Sequence, residues 1–487
     1  MIPPVRTTIH SLTHSLPLLV LVVMVLVCVS ERVSGQYIPD EEMSALHTLH
    51  SVTNGDEWYW TESEGGSEGV WNFTRREDGS YVHNPCITTW QGVGCSATPS
   101  LCHSQLCHIT RLTLDHYNMV GPLPHSVANL TSLVQLDLSS NELTGTLPHS
   151  LANLTALVVL DLSSNEFTGT LPHSLAYSLT ALRYLQLEEN QLRGSIPASI
   201  GQLIHIRYLS LESNALQGTI PSEIGTLTDV QLVYLHSNKL SGTIPSEICA
   251  LSSLRELWLH TNQLSGSIPT ELGELTALGL LLLYRNQLSG YIPSGVGSLT
   301  ALFAFSVFDN QLSGTLPREI GDLSSSLEVL RLYDNMLSGT IPSECGKLTT
   351  LEYIELYHNM LGGTLPSSIG NLSSVVEILS YDNFLSGRIP AEVSALRTLD
   401  VLFLQGNILS GSLYSVFNLS TQQYLSTVDL SNNRFSGGIP SELYKLPKLK
   451  VLSLSGSCSR PDYISRAFII HTLDIIHSSI FYTYQCI

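Results

Sequence analysis

From Ile109 to about Ser457 the chain repeats one phrase, and that repetition limits what it can fold into more than any other feature. The cleanest copy, Leu254 to Pro269, reads L-x-x-L-x-L-x-x-N-x-L-x-G-x-I-P. Its marker asparagines are Asn141, Asn165, Asn190, Asn214, Asn238, Asn262, Asn286, Asn310, Asn335, Asn359, Asn383, Asn407 and Asn433, spaced 24 to 26 residues apart. An earlier copy carries Tyr117 in the asparagine slot with Gly121 and Pro124 in place, and a partial copy runs from Leu449 to Ser457. Self-similarity at this period means a solenoid, because one unit cannot bury its apolar face until neighbours stack on it.

Each letter has a physical reason. Alternate leucines such as Leu257 and Leu259 put one face of a short strand into a core. Successive strands then pair in parallel as one sheet. The asparagine turns inward where the strand ends, and its amide can satisfy backbone groups left open by the bend. The glycine four places later permits backbone angles closed to other residues. Ile-Pro ends the turn, since proline cannot continue a central strand. The short polar segment after it, beginning Ser246-Glu247-Ile248, suits a helical turn on the outer side.

Residues 1–35 read as a secretory signal: Arg6 precedes an apolar run from Leu16 to Val29, and Val33-Ser34-Gly35 suits cleavage. The run is shorter than an ordinary membrane span. Cleavage removes Arg6, Arg32 and Glu31 and leaves 20 basic against 40 acidic residues, a net of −20. Such a balance argues against nucleic acid and anionic membranes as partners. In residues 36–108, Asp40 is placed to cap a helix whose apolar positions are Met43, Leu46, Leu49 and Val52, ended by Asn54-Gly55. An acidic, glycine-rich loop follows, from Glu62 to Gly79. Cys86, Cys95, Cys102 and Cys107 read as two disulfides in a secreted context. Of the three pairings, Cys86–Cys95 and Cys102–Cys107 close the shortest loops. A metal site is disfavoured by the absence of a paired C-x-x-C pattern.

The segment Ala45 to Asp56 followed by Trp58, the Cys86/Trp90/Gly92-Val93/Cys95 cluster and the G-x-I-P repeats together resemble the plant-type leucine-rich repeat family. That family includes receptor kinase ectodomains, receptor-like proteins and polygalacturonase-inhibiting proteins. The resemblance covers about 40–457. It implies a right-handed α/β superhelix, with a parallel sheet on the concave face and a disulfide-bonded N-terminal cap. On this reading residues 36–108 are the cap, 109–457 hold about 15 leucine-rich repeats, and 458–487 form an atypical tail. The tail's apolar stretch from Ala467 is interrupted by His471, Asp474 and His477, a poor membrane span. Membrane association is expected only of a truncated receptor. Cys345 stands in a slot held elsewhere by Ile224 or Ile248 and reads as a buried free thiol. Cys249 replaces an outer-turn glycine, and Cys458 with Cys486 are candidates to tether the tail.

N-x-S/T sequons mark Asn72, Asn129, Asn153, Asn371 and Asn418 as glycan sites, the last four in outer post-proline segments. No catalytic or phosphate-binding motif is present, so no enzyme activity and no cofactor are expected. His125, His149 and His173 recur in Pro-His-Ser phrases of near-identical repeats, a pattern that duplication explains better than metal binding.

Two places before the asparagine, the middle repeats turn aromatic: His236, His260, Tyr284, Phe308, Tyr333, Tyr357 and Tyr381. Four places before it stand Tyr234, Trp258 and Arg331. Strand alternation points both columns to solvent, and exposed aromatic surface with arginine marks an interaction site. Six repeat steps span roughly 29 Å, the length of an extended peptide of roughly nine residues. Aromatic faces equally suit a sugar polymer. Five places after the asparagine a hydroxyl column runs from Thr146 to Thr364, which β-propensity explains without a ligand. The function expected is extracellular recognition of a peptide, a protein or a cell-wall polysaccharide on the concave face, receptor- or decoy-like. The resemblance also allows an inhibitor of an extracellular hydrolase, and the hydroxyl column allows an adhesive or ice-binding protein.

Overall fold

The computed structural model describes residues 38–60, 70–77, 79–102 and 106–456. The signal segment, half of the acidic loop (62–69 and 78), and the tail with Cys458 and Cys486 lie outside the described residues.

Each repeat contributes one short strand to a 16-stranded sheet that runs from Val93–Cys95 to Val451–Ser453. Pairing between repeats is parallel and in register: Leu257 of strand Glu256–Trp258 lies opposite Val233 on one side and Leu281 on the other. The repeat leucines are fully buried, and with the post-proline isoleucines they form one continuous core. The first strand differs. Val93–Cys95 pairs antiparallel with Ile109–Thr113. Between these two strands lie the short helix Pro99–Cys102 and the disulfide Cys102–Cys107. The second disulfide is Cys86–Cys95. Both pairings are those the spacing favours.

A second, flanking set of strands starts just after each asparagine, forming an 11-stranded and a 3-stranded sheet. The outer turns are mostly five-residue 3-10 segments such as Ser246–Ala250. Five residues between proline and the next core leucine leave little room for an α-helical ladder. The α-helical exception, His173–Ser178, falls in a repeat one residue longer.

The asparagines form the expected ladder. Asn262 donates through Nδ2 to the carbonyls of Leu235 and Leu259, at 3.0 and 3.1 Å, and accepts the Leu240 amide at 3.0 Å. Asn141 and Asn433 repeat this set at the two ends. The residue before each asparagine is left-handed and seldom glycine: Thr261 has φ 56°, Arg285 53° and His358 49°. Such a φ is unfavourable for non-glycine residues, so the asparagine bonds hold the bend in place. Gly266, at φ 73°, is required twice over, because a Cβ there would also meet Thr243 Cγ2 at 2.8 Å.

The cap helix spans Asp40–Val52. Asp40 is its first residue and makes no capping bond, since Pro39 takes the cap position. Met43, Leu46 and Leu49 are fully buried, but Val52, at the helix end, is 40% exposed. Asn54, in left-handed conformation, ends the helix as expected. Trp58, Trp71 and Trp90 pack with Phe73 over the N-terminal end of the core. Buried Glu42 ties the cap to the first repeat, accepting the Ile109 amide at 2.8 Å and meeting His108 Nδ1 at 2.6 Å.

Candidate functional site

The aromatic column is a continuous stack. Register places one ring per strand, and His236, His260, Tyr284, Phe308, Tyr333, Tyr357 and Tyr381 follow one another at centroid distances of 4.1–4.4 Å and interplanar angles of 7–14°. Strands in a sheet lie about 4.8 Å apart. The ring tips are therefore closer than their backbones, as they must be on the inner side of a curve.

Stacking changes what the column offers. Each interior ring has both faces covered by its neighbours, so edges and hydroxyls face outward. The rings are half-buried, and His260 is only 8% exposed. This corrects the expectation of exposed aromatic faces: a sugar polymer binds across a ring face, and those faces are occupied. Burial raises the hydroxyl pKa of Tyr333, Tyr357 and Tyr381, which therefore stay neutral donors. Burial likewise lowers His236 to about 4 and His260 to about 3, so both histidines stand uncharged in the stack.

The neighbouring column is more varied. Trp258 packs against Tyr234 at 4.6 Å and against His236 at 5.4 Å. Its buried indole N–H has no hydrogen-bond partner. The Tyr234 hydroxyl donates to Glu256 at 2.6 Å. Arg331 is not a free cation: its Nε donates to Glu355 at 2.8 Å. The structure thus brings all ten sequence-predicted residues onto one face, where Tyr234 and Arg331 are bonded to carboxylates of neighbouring repeats and His236 and His260 to the hydroxyls that follow them, Ser237 and Thr261.

Sequence reasoning missed an acidic zone at the N-terminal side of this face. Asp137, Asp161, Glu188 and Glu212 lie on consecutive repeats, but the first pair stands four places before its asparagines and the second pair two places before, so neither column alone reveals them. Burial raises Glu188 to about 7, and burial also raises Asp161 and Glu212. Glu188 Oε2 is buried without a hydrogen-bond partner.

The other predicted positions separate cleanly. Asn72, Asn129, Asn153, Asn371 and Asn418 are all exposed, and Asn129, Asn153 and Asn371 end outer 3-10 turns. The hydroxyl column from Thr146 to Thr364 is exposed on the flanking sheet but interrupted by Tyr291. His125 contacts Ser150 rather than His149. Among the described residues there is no group of three His, Cys, Asp or Glu able to hold a metal ion, and no helix long and apolar enough to cross a membrane. Cys249 and Cys345 are buried free thiols.

A parallel in-register sheet, an asparagine ladder and outer 3-10 turns define a leucine-rich repeat solenoid. Family models agree. "Leucine-rich repeat region" matches residues 157–289, and two further leucine-rich repeat models match 107–167 and 326–348, 350–372 and 424–446. The chain belongs to the leucine-rich repeat family and resembles plant receptor ectodomains. Among solved structures, the plant peptide hormone receptor RGFR1 in complex with RGF2 is 32% identical, with a TM-score of 0.67 over 71% of this chain and 58% of that one. The PEPR1–AtPEP1 structure is 28% identical, with a TM-score of 0.66 over 86% of this chain and 62% of that one. An LRR protein of Leptospira interrogans is 31% identical, with a TM-score of 0.57 over 73% of this chain and 86% of that one. The chain thus spans less than two thirds of the two receptor structures. Comparison with curated proteins gave no match.

Proposed function

We propose that this chain is an extracellular recognition protein, without catalytic activity, that binds a peptide or an extended protein segment along the stacked aromatic column. The carrying observation is the seven-ring stack with its edges outward. A strand-like ligand can pack apolar side chains on ring edges and take hydrogen bonds from the tyrosine hydroxyls. RGFR1 is named as a peptide hormone receptor in complex with RGF2, which supports the same class of ligand here. Exposed sequons on the outer turns favour glycans there and an open inner face. Whether the chain works as receptor, decoy or hydrolase inhibitor depends on that ligand.

The test is binding of the full chain to an array of degenerate nonapeptides and to an array of cell-wall oligosaccharides. Peptide binding that is lost in the Tyr333→Ser, Tyr357→Ser double variant supports the proposal. Serine occupies this slot at Ser139, Ser163 and Ser431, so the fold tolerates it. Oligosaccharide binding without peptide binding overturns it.

A further inference from the structure

Because the repeats are near copies, each slot carries its own controls. In the slot after the asparagine, from Glu142 to Gln311, the residue is Glu, Gln or Lys, with Ala215 the one exception. The next three repeats place Met336, Met360 and Phe384 there, 44%, 46% and 58% exposed on the flanking sheet. The slot before the asparagine changes over the same repeats. Serine or threonine predominates there up to Thr261; after Arg285 come Asp309, Asp334, His358 and Asp382. The column two places before the asparagine is tyrosine at Tyr333, Tyr357 and Tyr381.

The aromatic column begins earlier, at His236, and the acids at Asp309, but all three departures coincide over the repeats of Asn335, Asn359 and Asn383. Across these repeats a path leads from aromatic edges, over an acidic rim, to an apolar stripe. The rim is held by His358, with Nδ1 2.7 Å from Asp334 and Nε2 3.2 Å from Asp382. Both carboxylates are about half exposed, at 44% and 53%. Methionine and phenylalanine could simply shield the backbone glycines of this flank, such as Gly362. That account does not explain the acids and tyrosines that line the same three repeats. A second copy of this chain is a poor occupant, since it would bring its own carboxylates against Asp334 and Asp382 on a protein of net charge −19.

We propose that a peptide ligand crosses the rim of the sheet here, laying apolar residues on the Tyr333–Tyr357–Tyr381 edges and on the Met336–Met360–Phe384 stripe, with one basic side chain between them on Asp334 and Asp382. This rests on the reading of the concave face given above and adds to it the chemistry of the ligand. The path from tyrosine to methionine is three residues through the left-handed bend at Asp334, so at most roughly 10 Å. A ligand segment of about four residues covers it.

Two sets of synthetic hexapeptides test the inference by fluorescence polarisation against the full chain, one set apolar with a central arginine and one with a central glutamate. The arginine set binds at least about tenfold more tightly, a difference of about 1.4 kcal/mol. Asp334→Asn with Asp382→Asn erases that preference. Met336→Gln with Met360→Gln and Phe384→Gln weakens binding about tenfold or more. Glutamine is native to this slot at Gln263, Gln287 and Gln311, so the triple variant keeps its fold. Absence of a charge preference overturns the inference, as does binding unaffected by the triple variant. If peptides bind and depend on Tyr333 and Tyr357 but ignore the flank, the concave-face reading stands and this one falls. If neither set nor the nonapeptide array binds, both fall. Sedimentation that reveals a dimer abolished by the triple variant would make a second copy the occupant and also overturn it.

Discussion

Replacing Asn262 with alanine removes the acceptor of the Leu240 amide, a bond of 3.0 Å in the preceding repeat. It also removes the donor to the carbonyls of Leu235 and Leu259. The Leu240 side chain is fully buried, so water does not readily replace the lost partner. An orphaned buried donor costs about 1–3 kcal/mol. The carbonyls each keep lone pairs for other contacts and add less. In a solenoid this cost falls on adjoining repeats rather than on the whole array, and a single melting curve dilutes it. Hydrogen exchange read at Leu240 is the sharper assay. At 1.4 kcal/mol per tenfold, its exchange accelerates about 5- to 140-fold. Asn262→Asp keeps an acceptor oxygen and loses the donors, so Leu240 stays protected in that variant while the two carbonyls do not stay paired. Unchanged Leu240 protection in the alanine variant would refute the ladder reasoning.

Other outcomes follow from buried titrating groups. His236 and His260 are held neutral, with folded pKa values of about 4 and about 3 against 6.5 unfolded. The unfolded chain takes up their protons first as pH falls, so stability drops from pH 6.5 down through those folded values. Substituting both with phenylalanine, an aromatic this column already holds at Phe308, flattens that part of a melting-temperature profile; an unchanged slope would show that the histidines are solvated. Glu188 has the opposite sign. Its folded pKa of about 7 exceeds the 4.5 of the unfolded state, so stability falls as pH rises from 4.5 to 7. Glu188→Gln therefore raises the melting temperature above pH 7 and leaves it unchanged below 4.5. Burial pushes the thiols of Cys249 and Cys345 up to about 11 and about 12, so iodoacetamide followed by mass spectrometry should label them only in denaturant.

The solenoid was legible because every repeat restates the same constraints: buried leucines, an inward asparagine, a glycine at positive φ and a proline exit. The two disulfides were legible because each closes a short loop. What the sequence hid is geometry between repeats. Nothing in the letters Tyr333 and Tyr357 says that their rings stack face to face at 4.2 Å, because that depends on parallel register and inward curvature. Arg331 read as a free hot spot, while its partner Glu355 comes from the next repeat in the same slot. The acidic zone was hidden because Asp161 and Glu188 occupy different slots. The left-handed row, with Thr261 and His358, was missed because positive φ is expected of glycine.

The central claim is that the edges of the stacked rings bind an extended peptide. Isothermal titration of an array-selected nonapeptide into the full chain and into the Tyr333→Ser, Tyr357→Ser variant tests it most directly, with melting temperatures measured alongside. Loss of about 2 kcal/mol or more of binding, the size of a hot-spot contribution, with little change in melting is the result predicted. Equal affinity in both proteins, with the fold intact, would contradict the account and place any ligand elsewhere on the solenoid.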